Sequence, residues 1–252
     1  MKKGGINMRL FYSNNPVLRK AINSDYIYDG TVATYRGVAS KLFFYIGMTL
    51  LGAFLGIYLL FSNEKLFNAL LVLSLFSTGI LGFIAFLFPR SAKVVGSIYC
   101  VSEGLLIGVV SLLADTLVKG TVLCAILGTI VVLMVVATLY VTNIVKVNNR
   151  FTSFVLTFAI SIIISYLIIA ILNVTLYKDQ PVNTSLNLLV SGLTIFLITL
   201  FLFLDLENVR RIVEGGAPKI YEWYVAFGLA YTILWMYMEI LPIVLRFLND
   251  RR

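Results

Sequence analysis

Seven apolar stretches follow one another along this chain with little between them, each near the roughly 20 residues a helix needs to cross the hydrocarbon layer of a membrane. Periodicity and length place them at about Val38–Phe61, Leu66–Phe88, Val94–Leu113, Gly120–Val141, Phe151–Leu172, Leu186–Leu204 and Trp223–Leu248. No water satisfies the backbone inside a bilayer, so each stretch must form its own helical hydrogen bonds. The links Ser62–Lys65, Pro89–Lys93 and Ala114–Lys119 are too short for a folded soluble domain. The expected fold is therefore all-α: a polar, basic arm over residues 1–37, then one bundle of seven transmembrane helices over residues 38–252. The arm has no apolar core of the kind a signal peptide carries. The absence of an evident internal repeat argues against a transporter built from inverted halves.

Composition agrees, because 13% of the 252 residues are charged against roughly 25% in soluble domains. The formal charge of +8 raises the question of nucleic acid, but its excess lies in the arm and in short loops. Membrane topology accounts for it, and no nucleic-acid partner is expected. Lys2, Lys3, Arg9, Arg19, Lys20, Arg36, Arg90, Lys93, Lys146, Arg150, Arg210, Arg211 and Lys219 fall on one side of the expected bundle. The other side has Lys65, Lys119 and Lys178, which predicts a cytoplasmic N-terminus and an external C-terminus in the cell membrane. Arg246, Arg251 and Arg252 run against that orientation, and a last helix that fails to cross fully would accommodate them.

The chain contains no histidine, which removes Ser-His and Cys-His nucleophile pairs and every site built on His metal ligands. Walker-type and dinucleotide-binding glycine patterns are also missing. An enzyme is not expected, nor a bound cofactor. Cys100 and Cys124 lie inside apolar stretches and read as buried small hydrophobes. Gly52 with Gly56, and Gly104 with Gly108, form two GxxxG pairs that permit close approach of helix backbones. Ser153, Thr157, Ser161 and Ser165 recur every fourth residue on the fifth span, a stripe expected to pack against a neighbouring helix.

The acids inside the apolar stretches are the candidate functional residues, because a carboxylate at the bilayer centre costs ~3 kcal/mol on insertion scales. Asp205 stands where the sixth stretch gives way to charge, and Glu239 lies within the seventh beside Tyr231, Trp235 and Met238. Glu239 is read either as a site residue or as a neutral, hydrogen-bonded packing residue. Glu103, in the third stretch, is read either as a pathway or gating carboxylate or as a protonated acid bonded to a neighbouring helix. Glu222, between Tyr221 and Trp223, has an interfacial position as sufficient explanation.

Four stretches carry a resemblance: SNNPVLRK at Ser13–Lys20, IYCVSEGLLIGVVS at Ile98–Ser111, AILGTIVVLM at Ala125–Met134, and FLDLENVRRIVEGGAPKIYEWYVAFGLAYTILWMYMEIL at Phe203–Leu241. Together with the span count they resemble a bacterial member of the Bax inhibitor-1-like family of seven-span membrane proteins, the TMBIM superfamily. The resemblance implies a pH-sensitive calcium leak, with paired acids on the last two helices as sensor. Asp205 matches the family's sixth-helix aspartate, and Glu239 stands where its seventh helix usually has a second one. Arg90 is the nearest match to an arginine that latches the sixth-helix acid in some members. The loop with the GGAP turn is longer than in the better-known members.

Two carboxylates held together in low dielectric would share a proton, and its loss would part the two helices while offering oxygens to Ca²⁺. The favoured reading is thus a proton-gated calcium leak through Asp205 and Glu239, with Glu103 along the path. Its rival is a non-conducting regulator that binds other membrane proteins, such as a membrane protease, through its bundle surface and arm.

Overall fold

A computed structural model describes residues 32–175 and 184–250, so most of the expected arm lies outside the described residues. Among the described residues, seven helices are long and apolar enough to cross a membrane. They are α1 (Tyr35–Ser62), α2 (Glu64–Leu87), α3 (Ala92–Leu117), α4 (Thr121–Val141), α5 (Asn149–Thr175), α6 (Thr184–Glu214) and α7 (Tyr221–Asn249). The chain is a multi-pass membrane protein. The exposed faces of α1, α2, α4 and α5 carry large apolar side chains, among them Phe43, Phe54, Phe76, Phe83, Leu127 and Ile163. A water-exposed patch of that extent is foreign to soluble monomers, whereas lipid is its natural solvent.

The helices form an inner group and an outer one. Half of the most apolar window of α7 is buried, with 44% for α3 and 39% for α6, against 11–22% for the other four. The central element is α7, which packs on α6, α1, α4 and α3 and weakly on α2, while α5 packs on α6. Its aromatic residues recur every fourth position, at Trp223, Phe227, Tyr231 and Trp235, and so form one stripe. Phe227 and Tyr231 are 6.3 Å apart, and Tyr231 and Trp235 6.4 Å, between ring centroids.

α1 and α3 meet through their glycines. A Cβ on Gly52 or Gly104 would run into the backbone carbonyl of Val101 or Thr49 on the facing helix. On Gly56 and Gly108 it would stand 2.9 Å from Leu105 O and 2.6 Å from Ala53 O. The two GxxxG pairs therefore serve packing, as expected, and they serve each other.

Helix ends differ from the sequence expectation where capping decides them. α1 starts at Tyr35 because the Thr34 hydroxyl accepts from the Gly37 N–H at 3.0 Å and caps it. α6 runs on past Leu204 to Glu214, because Glu207 is satisfied within the helix by Arg210 and Arg211. It closes with a Schellman turn: Gly216 has φ +64°, its N–H bonds Val213 O, and the Ala217 N–H bonds Ile212 O. Residues before α1 pair with this turn, Ala33 N donating to Ala217 O at 2.9 Å.

Two expectations need correcting. Ser153, Thr157, Ser161 and Ser165 are exposed on the outer face of α5 and pack against no other helix there. The Ser161 and Ser165 hydroxyls instead donate to the carbonyls of Thr157 and Ser161 one turn back, at 3.0 and 2.8 Å, which lets them face an apolar medium. Cys100 is buried as expected, but Cys124 lies on an exposed face of α4.

If the glycine contact sets the α1–α3 distance, Gly104→Ala should destabilise the protein by about 1–3 kcal/mol, the usual cost of overpacking. Gly47→Ala, where the added carbon meets nothing within 4 Å, should leave the melting temperature in detergent unchanged. Equal melting of both variants would refute the contact.

Candidate functional site

The intramembrane acids lie on or beside α7. Asp205, on α6, accepts a hydrogen bond from the Thr232 hydroxyl on α7 at 2.6 Å. Gly228, one turn before Thr232, faces the same carboxylate: a Cβ there would stand 3.4 Å from Asp205 Oδ1, in ordinary contact. Glu239 is partly exposed and has the Trp235 indole one turn back as its polar neighbour. Glu239 lies seven positions beyond Thr232, a rise of roughly 10 Å along α7 at 1.5 Å per residue. Asp205 thus meets a hydroxyl, and no hydrogen bond or ion pair joins it to Glu239 among the described residues. The two acids do not form the expected carboxylate pair, because Thr232 stands opposite Asp205 and Glu239 lies two turns farther along α7. Nor do three or more Asp, Glu or Cys side chains converge anywhere among the described residues to hold a metal ion.

Glu103, on α3, borders a cleft of about 450 Å³ between α2, α3 and α7. No hydrogen bond or ion pair reaches its carboxylate among the described residues, so the reading in which it is tied to a neighbouring helix does not hold. Tyr99, Tyr231 and Trp235 surround it within the cleft. Arg90 sits exposed in the turn between α2 and α3, while the group that meets Asp205 is Thr232.

Two further acids close the end of the bundle where α1 begins. Glu222 is fully buried, where the sequence suggested only an interfacial position. It pairs with Lys41 of α1 and accepts from the Thr34 N–H at 2.8 Å and hydroxyl at 3.3 Å. Gly37 makes room, since any side chain there would strike the carboxylate. Lys41 also lies 5.2 Å from the centroid of the Trp223 ring, and Lys93 5.5 Å from it. Glu207 is buried as well, holding Arg210 at 2.9 Å, Arg211 at 2.8 Å and the Tyr140 hydroxyl of α4 at 2.8 Å. Arg at the third and fourth positions after Glu207 was a legible sign of that cluster. Lys41 and Glu222 stand 181 positions apart, and the only hint in the sequence is one lysine placed inside an apolar run.

The family profile described as Bax inhibitor 1 like matches residues 15–249, nearly the whole chain. The chain belongs to the Bax inhibitor 1 like family. No curated protein and no solved structure matches it. Within that family assignment, the match runs through every helix described above, including the GGAP turn and the acid-bearing face of α7.

Breaking a buried ion pair on one side strands the other charge. Lys41→Met and Glu222→Gln should each cost about 3 kcal/mol, and the double variant clearly less than their sum. Thermal unfolding of the four proteins measures this coupling, and strict additivity would show that the pair contributes nothing as a pair.

Proposed function

We propose that the protein is a proton-regulated leak for calcium ions, in which Glu239, Asp205 and Glu103 offer oxygens along α7. The observation that carries this reading is that these three acids lie away from the helix ends, inside the membrane-spanning helices, with no ion pair among the described residues, whereas the end-of-helix acids Asp115 and Glu214 accept from the Gly120 N–H and the Tyr35 hydroxyl. The buried acids, Glu207 and Glu222, each have a cation. Calcium takes hard oxygen ligands. Near Glu239 a further one is at hand, because Pro242 lies within α7 and brings no N–H to the Met238 carbonyl. The resemblance to the family's calcium leaks supports calcium as the cargo.

Protonated carboxyls bind calcium poorly, so flux is low in acid and rises as the acids ionise. The groups around them are neutral in this range: Thr232 beside Asp205, Trp235 beside Glu239, and Tyr99 and Tyr231 beside Glu103. The end bearing Lys41, Lys93, Arg210 and Arg211 faces the cytoplasm of the cell membrane in this reading, by the charge rule.

Purified protein in calcium-loaded vesicles should leak calcium without any partner, increasingly from about pH 5 to 8. Asp205→Asn keeps an acceptor for Thr232 but loses its charge, and it should flatten part of that profile. Glu239→Gln should flatten another part, and the two effects should combine independently, since the acids are not in contact. Absence of flux at every pH would reject the leak and favour a regulator acting through contacts with other membrane proteins.

Topology has its own check. Single cysteines placed near Ile6 and Asn249, in a protein lacking Cys100 and Cys124, should react with impermeant reagents from opposite sides. Labelling of both from one side would overturn the seven-span crossing.

A further inference from the structure

Besides an acid for the proposed path, the cleft at Glu103 has a composition that suits an organic cation. Its walls are Tyr99, Tyr231, Trp235, Phe83 and Phe86, with one carboxylate among them. Tyr99 and Tyr231 lie 5.6 Å apart, Phe86 and Tyr231 5.2 Å, between ring centroids. Aromatic faces and a carboxylate both attract a cation, and the rings suit a quaternary ammonium head. The volume falls within the roughly 300–1,000 Å³ of small-molecule sites.

The cleft exists because α2 leans on α3 and barely touches α7. Its α2 wall is low: a Cβ on Gly79 would meet nothing within 4 Å, and one on Gly82 only ordinary contacts with Tyr99 and Tyr231. Phe83 and Phe86 at the rim are exposed on the outer face of the bundle. The mouth therefore opens sideways into lipid. Glu103 is eleven residues from the start of α3, roughly 16 Å along its axis, too deep for a lipid headgroup that stays at the interface.

From this juxtaposition of an unpaired carboxylate, an aromatic wall and a lateral mouth, we infer that the cleft binds an amphiphilic organic cation, an alkylated ammonium that reaches it through the bilayer. The cationic head lies against Glu103, Tyr99 and Tyr231, and the alkyl tail leaves between Gly79 and Phe83. The inference does not depend on the calcium reading, and its test is run without calcium.

The chain has two tryptophans, and Trp235 lines the cleft. With Trp223→Phe as background, Trp235 emission is followed in lipid nanodiscs as hexyltrimethylammonium is added. The neutral analogue with a tert-butyl head in place of the trimethylammonium serves as control. A saturable change is expected with the cation and not with the neutral analogue. Glu103→Gln should weaken the apparent affinity by about tenfold or more. Gly79→Leu, which has room to fold, should abolish saturation by closing the mouth. A response that never saturates, that is equal for the neutral analogue, or that survives both variants would overturn the proposal. If Glu103→Gln fails to fold, Gly79→Leu alone decides: retained saturable binding in that variant refutes the site.

Discussion

Lipid tails are as apolar as leucine, so burial of apolar surface gives these helices little reason to associate, and close backbone contact must do it instead. The α1–α3 contact shows how. Four glycines present bare backbone to four carbonyl-bearing residues of the facing helix, and each contributes dispersion contacts that a side chain would forbid. Fixing α3 against α1 in turn fixes Tyr99 and Glu103, and leaves α2 to lean on α3 as an outer element. The lateral cleft follows from that arrangement.

Polar groups are divided by purpose. At the end where α1 begins, Glu207 and Glu222 are buried with cations and hydrogen-bond donors, tying α1, α4, α6 and α7 together. Farther into the bundle, Asp205 has a hydroxyl, Glu239 an indole, and Glu103 an open cleft. The first group resists change, since moving any helix strands a charge. The second carries its acids where a proton or a cation can alter their state without unfolding anything.

Span number and approximate position were legible because length and apolarity are local properties of the chain. The glycine pairs were legible for the same reason, down to their packing role. Glu103, Asp205 and Glu239 stood out as acids in apolar surroundings, but nothing local tells which residue of α7 faces Asp205. That register depends on the hairpin, where a Schellman turn and the bond from Ala33 to Ala217 set the offset between α6 and α7. The burial of Glu222 was hidden because its partners come from the other end of the chain. The α5 hydroxyl stripe misled because a serine bonded to its own helix and one bonded across helices have the same spacing.

The Thr34–Glu222 bond spans 188 positions and has a consequence for biosynthesis. α1 leaves the ribosome first, carrying Lys41, while Glu222 arrives with the last helix. Until then a lysine stands near the membrane with its counter-charge not yet made, and the Thr34 N–H lacks its acceptor. Assembly of this end therefore waits for the synthesis of α7, and a chain cut short anywhere before α7 leaves Lys41 without that counter-charge.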